Sequence, residues 1–322
     1  MRLGDYASKT DTGHRRRRNE DSHVVRPPLF AVADGMGGAQ AGEVASRLAA
    51  AALDEPQASA DGNGEQRIVE LVQEANRRVF QRSLEDAATQ GMGTTMTVAL
   101  VDDAAGTVSF GHVGDSRAYR VRDGELEQLT EDHSLVGELV RSGRLSPQEA
   151  GTHPQRSVIT RAVGTEPDVD VDTFTVVGRP GDVFLLCSDG LTDMVEEDAI
   201  RAAVNASGGD LDRAARALVD AANAGGGEDN ITVVLFRLDG AAAPGLGDTQ
   251  TLTAAPEPDD EDTLSGLEGV PAVTETAEPP EEPGPDEARR HGAGKGRRWP
   301  ALLALVLALA VIAALVVWGL LR

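Results

Sequence analysis

Four places in this chain set an aspartate against an apolar run, beside glycine or a small polar residue. Phe30-Ala31-Val32-Ala33 leads into Asp34-Gly35-Met36-Gly37-Gly38, and Phe110-Gly111-His112-Val113-Gly114 leads into Asp115-Ser116-Arg117. Phe184-Leu185-Leu186-Cys187-Ser188 leads into Asp189-Gly190, and Asp229-Asn230 stands directly before Ile231-Thr232-Val233-Val234. Carboxylates at strand ends are held rigidly and can converge. An all-oxygen set of this kind suits Mg2+ or Mn2+, not zinc or copper. The adjoining glycines let backbone carbonyls approach a ligand. One strand-Asp-Gly alone reads as a turn; four argue for a shared site. The stretch Gly13-His14-Arg15-Arg16-Arg17-Arg18-Asn19-Glu20-Asp21 adds four arginines beside an acidic pair. A bare arginine run is usually a solvated face. Next to a metal cluster, one of these guanidiniums could bind a phosphate through two parallel hydrogen bonds.

Other chemistries fit less well. A cysteine phosphatase built on Cys187 needs an arginine six residues on, where Asp193 stands; a buried strand thiol is the better reading. The run Asp168-Val169-Asp170-Val171-Asp172 lacks the Thr or Val that an aspartyl-phosphate motif requires in either register, and is read as a strand that alternates faces. His112 is assigned to strand packing and His133 to a hydrogen-bonding role.

The elements that must carry these residues alternate between short apolar runs and helical patterns. Strands are expected at Leu29–Ala33, Thr95–Asp102, Thr107–Val113, Ala118–Arg122, Asp172–Val177, Val183–Ser188 and Ile231–Leu238. Helices are expected at Ala41–Leu53, Gln66–Ala88, Leu135–Ser142, Glu197–Ala206 and Asp210–Ala224. In the second of these helices Ile68, Leu71, Val72, Ala75, Val79 and Phe80 recur at helical spacing. Short turns between successive strands favour antiparallel sheets with helices packed outside.

Charge and composition divide the chain further. Its 322 residues carry a formal charge of −23. Residues 1–240 hold 40 acidic and 24 basic side chains. Such a body repels phosphate backbones, which argues against nucleic acid as a partner and against a two-metal nuclease. One cysteine excludes an intramolecular disulfide and a cysteine-rich zinc site. Residues 241–288 contain 13 acids, no Lys or Arg, and eight of the sixteen prolines, the composition of a disordered linker. The final stretch Ala301–Leu321 has no charged residue. At 1.5 Å per residue its length is roughly 31 Å, the thickness of a bilayer core. Arg289, Arg290, Lys295, Arg297 and Arg298 precede it and Arg322 alone follows, which orients the N-terminal side toward the cytoplasm. The expected organisation is therefore a globular domain at 1–240, which the motifs below make a catalytic one, an acidic Pro-rich linker ending in a basic juxtamembrane segment at 241–298, and a transmembrane helix at 299–322. Localisation follows: a single-pass cell-membrane protein with a cytoplasmic N-terminal domain.

Taken in order, the motifs resemble the metal-dependent serine/threonine protein phosphatases of the type 2C class, in their bacterial membrane-anchored form. The resemblance covers roughly residues 4–238. It rests on Gly13…Arg16…Asn19-Glu20-Asp21, Asp34-Gly35-Met36-Gly37-Gly38, Gly93-Thr94-Thr95, Val113-Gly114-Asp115-Ser116-Arg117, Leu129-Thr130…Asp132-His133-Ser134, Ile159-Thr160-Arg161-Ala162-Val163-Gly164, Ser188-Asp189-Gly190-Leu191 and Asp229-Asn230-Ile231-Thr232. It implies an α+β, four-layer αββα sandwich with two central antiparallel sheets flanked by helices. It implies hydrolysis of phosphoserine and phosphothreonine esters by direct attack of a metal-bridging water. Asp34 would bridge two Mn2+ or Mg2+ ions, the Gly35 carbonyl would bind one, and Asp189 and Asp229 would complete the pair. Asp115 with Asp189 would hold a third. Arg16, three residues before Asn19, would bind the substrate phosphate, and Glu20 and Asp21 would act through metal-bound waters. Residues about 135–160 would form a flap beside the substrate. Met36 stands where many eukaryotic members place a proton-donating His. Expected partners are phosphorylated proteins, above all receptor-like Ser/Thr kinases and their substrates. An inactive, membrane-tethered binding module of the same fold is the alternative, opposed by the presence of all four aspartates.

Overall fold

The computed structural model describes residues 1–37, 41–54 and 63–240. The expected linker at 241–298, the expected membrane span at 299–322 and Gly38 lie outside the described residues. Among the described residues no helix is long and apolar enough to cross a membrane.

Two antiparallel sheets face each other. The first runs β1 (Arg2–Asp11), β11 (Ile231–Asp239), β10 (Val183–Cys187), β7 (Arg117–Arg122), β8 (Glu125–Gln128). The second runs β2 (Asp21–Arg26), β3 (Leu29–Met36), β5 (Met96–Asp102), β6 (Thr107–Val113), β9 (Asp172–Val177), with the two-residue β4 (Gly93–Thr94) on β3. Helices α1 (Ala41–Asp54) and α2 (Gly64–Glu85) cover the second sheet, while α5 (Asp189–Thr192), α6 (Glu197–Ala206) and α7 (Leu211–Ala224) cover the first. Between β8 and β9 lie the short α3 (Leu135–Arg141) and α4 (Pro147–Gly151). This is the αββα layering that the family resemblance implies.

The layering follows from the two periodicities. On α2, Ile68, Leu71, Val72, Ala75 and Val79 form the buried stripe, and Asn63 with Gln66 closes a capping box at its start. On α1 the stripe is Ala41, Ala45, Ala49, Ala52 and Leu53, small enough for the helix to lie close to the sheet. On α7 it is Leu211, Ala214, Ala215, Leu218, Val219 and Ala222. The strands are apolar on both faces because helices cover one face and the other sheet covers the second. Alternate residues therefore go to different cores. Phe30 and Val32 enter the layer between the sheets with Phe110, Phe184, Leu186, Val234 and Phe236, while Ala31 and Ala33 face α1 and α2. Phe30 stacks on Phe236 at 4.5 Å, and Phe236 stacks on Phe184 at 5.1 Å.

Six elements escape a reading of sequence pattern: β1, β2, β4, β8, α4 and α5. β1 and β2 lie in a polar N-terminal stretch, and β1 is ordered by pairing with β11 over its length. β8 is four residues on the sheet edge, where polar Glu125 and Glu127 are exposed. The second expected helix stops at Glu85, three residues short, where Asp86 turns to an extended conformation. The expected strand over Asp168–Asp172 begins only at Asp172. Its upstream part is instead held by helix side chains: Gln73 Nε2 donates to the Val169 carbonyl at 2.6 Å, and Asn76 Nδ2 donates to Glu166 and Pro167.

Candidate metal centre

At one end of the sandwich the inter-sheet layer changes character. Following Phe30 and Val32 on the same face of β3 comes Asp34, and following Phe110 on β6 comes His112. Cys187 ends β10, and Ser188 and Asp189 open the turn of α5. The strand pairing puts Asp21 of β2 opposite Asp34 of β3. Asp115 follows β6 in the tight link to β7, and Asp229 precedes β11, the strand between β1 and β10. Strands distant in sequence thus deliver their acids to one end.

Threonines hold the backbone of Asp34. Thr95 Oγ1 accepts from the Asp34 N–H at 3.0 Å, and Thr94 Oγ1 donates to the Asp34 carbonyl at 2.8 Å. Thr95 Oγ1 also meets Ser116 Oγ at 2.7 Å, tying Asp34 to the residue after Asp115. Ser188 Oγ donates to Asp21 Oδ2 at 2.8 Å and accepts from the Thr232 N–H at 3.0 Å. Gly35 has no room for a side chain: a Cβ would lie 2.1 Å from the Gly42 carbonyl oxygen and 2.6 Å from that of Glu20. Its N–H donates to the Glu20 carbonyl at 3.1 Å.

The electrostatics are those of acids lacking countercharge. Burial raises the Asp21 carboxyl to about 6 and the Asp115 carboxyl to about 7. Burial, reinforced by neighbouring acids, pushes Asp34 and Asp189 well above the usual carboxylate range. Glu20 and Asp193 are raised for the same first reason. The arginine ion pairs around the cluster fall on its periphery: Arg16 on Asp229, Arg117 on Asp132 and Arg156 on Asp193. Among the described residues no group of three His, Cys, Asp or Glu side chains is arranged to hold a metal ion as it stands. The donor set nevertheless fits a hard divalent cation. It is all oxygen, and Asp21 Oδ1, Asp115 Oδ1 and Asp189 Oδ1 are sealed from solvent without a hydrogen-bond partner. Such orphaned carboxylate oxygens cost free energy unless protonated or bound to a cation.

Arg16 is exposed, and its Nη2 donates to Asp229 Oδ2 at 2.6 Å. The structure therefore brings Asp21, Asp34, Gly35, Asp115, Asp189, Asp229, Glu20 and Arg16 to one end of the sandwich. Glu20 sits at its edge, with its N–H donating to Asn230 Oδ1 at 2.7 Å. Sequence reasoning assigned Asp21 to the surroundings of the metals, yet its register with Asp34 puts it among the innermost acids. It gave no role to Asp193, whose N–H donates to the Asp189 carbonyl at 2.8 Å; the four-residue spacing from Asp189 was the available signal. It also gave none to Asn230, which spends both amide ends on the N-terminal loop. Cys187 is fully buried, with its thiol pushed up to about 12. His112 packs within β6 and hydrogen-bonds Thr97 and the Glu131 carbonyl; His133 meets Asp172 at 3.0 Å. The expected flap is an excursion closed by a bridge between Ser134 and Ile159, and its Arg156 reaches Asp193 at 3.6 Å.

Comparison with known proteins agrees with this geometry. The family profile described as Protein phosphatase 2C matches residues 13–221. The serine/threonine phosphatase stp of Listeria monocytogenes serotype 4b is 40% identical over 241 residues, covering 72% of this chain and 94% of that protein. The crystal structure of the Mycobacterium tuberculosis serine/threonine phosphatase PstP/Ppp superposes with a TM-score of 0.69 at 39% identity, over 74% of this chain and 100% of that one. The catalytic domain of PstP in complex with two manganese ions gives a TM-score of 0.67 at 38% identity, over 74% and 99% of the respective chains. The matched segment carries Arg16, Asp34, Asp115 and Asp189 together, and on that agreement of sequence, fold and site this chain belongs to the protein phosphatase 2C family.

Proposed function

We propose that the chain is a Mn2+- or Mg2+-dependent protein serine/threonine phosphatase, and that the convergent aspartates are its metal ligands. The observation that carries this reading is the set of three solvent-sealed carboxylate oxygens without partners beside an exposed arginine. Asp34, the Gly35 carbonyl, Asp189 and Asp229 would hold two ions, and Asp115 with Asp189 a third. Such ions, when bound, supply an acidified water as nucleophile and neutralise charge on the phosphoryl oxygens. Arg16 binds and orients the phosphoryl group; it has five N–H donors, and Asp229 engages one of its nitrogens. Asp21 and Glu20 support the site from the β2 side. Cys187 is excluded as nucleophile by its burial and raised pKa. Met36 has no proton to give the departing serine or threonine oxygen.

The test is phosphate release from a phosphothreonine peptide by the full-length protein, with and without Mn2+, beside Asp189→Asn. Release that requires Mn2+ and collapses in the variant supports the reading. A folded protein inactive at every metal concentration would move it to the inactive binding module.

The remaining organisation is proposed from the sequence. The domain at 1–240 would be joined by the acidic linker at 241–298 to a membrane span at 299–322, with the domain in the cytoplasm. Tethering would raise its effective concentration toward membrane phosphoproteins, receptor-like Ser/Thr kinases and their substrates among them. Partition of the full chain into membranes, lost on truncation after Arg298, tests this.

A further inference from the structure

The arginine run does not behave as a free tail. Its loop is stapled at both ends to the segment that carries Asp229. The N–H groups of His14 and Arg15 both donate to the Gly227 carbonyl, at 2.7 and 3.2 Å. Asn230 Nδ2 donates to the Thr12 carbonyl at 3.0 Å and to the Arg18 carbonyl at 2.9 Å. Gly13, at φ +72, packs so closely that a Cβ would lie 2.2 Å from the Asp229 carbonyl oxygen. The loop that carries the four arginines is thereby held against the segment of Asp229, and all four residues are exposed.

Their charges are not equally spent. Arg16 pairs with Asp229, and Arg18 pairs with Glu43 at 3.4 Å. The side chains of Arg15 and Arg17 have no ion pair or hydrogen bond among the described residues. Two arginines of the segment between β8 and β9 are, by contrast, already paired, Arg156 with Asp193 and Arg161 with Asp172. Residues 1–240 as a whole are acidic, so two unspent cations beside the phosphate-binding Arg16 are a local reversal of sign.

From this placement we infer that Arg15 and Arg17 form a second anion subsite, which selects phosphoserine and phosphothreonine substrates carrying another phosphate or carboxylate within about three residues of the scissile ester. The inference rests on the proposed phosphatase reading and on Arg16 as the phosphate ligand. Three extended residues span roughly 10 Å, the reach over which charges act at about 0.1 M salt. A phosphate can also use the guanidinium fork, which a single carboxylate uses less fully and a lysine cannot supply. The acidic body disfavours an anionic membrane surface as the occupant of the same arginines.

The test uses the full-length, Mn2+-loaded protein and three phosphothreonine peptides: one with neutral flanks, one with flanking glutamates, and one with a second phosphoserine two residues away. At low salt the two anionic peptides are expected to exceed the neutral one in kcat/KM by about three- to tenfold, chiefly through KM. The ratio should fall toward one in Arg15→Ala/Arg17→Ala and at about 0.5 M salt. Arg15→Lys/Arg17→Lys should keep the glutamate preference and lose most of the extra gain from the second phosphate. Equal turnover of all three peptides by the unaltered protein overturns the subsite, as does a preference that survives the double alanine variant. Loss of phosphatidylserine-vesicle binding in that variant, with peptide preference unchanged, would assign the arginines to a membrane instead. Absence of Mn2+-dependent release from every peptide would refute the underlying phosphatase reading.

Discussion

The same strands build two ends of one layer, and the ends are opposites. At the apolar end, Phe30, Phe236, Phe184 and Phe110 pack ring against ring at centroid distances of 4.5 to 5.8 Å and are fully buried. Four residues further along β3 the same face presents Asp34, and the partners there are Asp21, Asp115 and Asp189. One end is satisfied by dispersion and the exclusion of water. The other holds sealed carboxylate oxygens with no partner. The difference teaches where stability and function are separated: the aromatic end holds the sheets together, and the acidic end lacks the countercharge that, on the proposed reading, a bound cation would supply.

The sharpest way to break this comparison is to remove charge from the acidic end. Asp34→Asn is expected to lower kcat/KM by about three orders of magnitude or more. It should raise, not lower, the melting temperature of the metal-free protein, because it removes one of several mutually repelling acids. A metal-free protein destabilised by this change would contradict the assignment. The complementary change belongs at the apolar end. Phe236→Ala should cost about 3–5 kcal/mol of unfolding free energy, measured by urea titration, while kcat of the folded fraction stays close to its original value.

Proton linkage sharpens the contrast. Asp21 and Asp115 have folded pKa values of about 6 and about 7, against 3.8 as the ordinary value. A raised folded pKa favours the protonated form in the fold. The stability these groups contribute is thus fully present below about pH 4 and is lost as pH rises through 6 and 7, by up to about 1.4 kcal/mol per pH unit for each titrating group. Mn2+ competes with those protons, so the stabilisation by Mn2+ should grow with pH across that window. Thermal melts with Mn2+ and with a chelator, at pH 5 and pH 7.5, measure it; a metal effect independent of pH would count against a metal site built among these carboxylates. The smallest expected effect is at Cys187, which touches neither end chemically. Cys187→Ala should leave kcat/KM unchanged within about twofold and cost about 1 kcal/mol or more of stability, through loss of a buried sulfur.

Much of the fold was legible because strand and helix periodicities are local. The runs at Leu29–Ala33, Thr107–Val113 and Ile231–Leu238 lie inside observed strands, and the α2 stripe falls on Ile68, Leu71, Val72, Ala75 and Val79. Asp34, Asp115, Asp189 and Asp229 were legible for the same reason: each sits where an apolar run meets small polar residues. β1 was not, because its order comes from hydrogen bonds to β11, more than 200 residues away. The Asp168–Asp172 stretch was misjudged because Gln73 and Asn76 of α2 hold its backbone better than a strand ladder would.

Residue order alone thus decided which side chains could serve as ligands, since type and neighbouring turns are properties of a short segment. It also decided that the body is acidic and that one loop is rich in arginine. Only the folded chain decided how these pieces meet. The antiparallel register sets Asp21 opposite Asp34, and the Asn230 staple brings Arg16 within 2.6 Å of Asp229. The reason is physical: register and stapling are hydrogen-bond relations between segments far apart in the chain, and a local pattern carries no information about which remote donor will meet which acceptor.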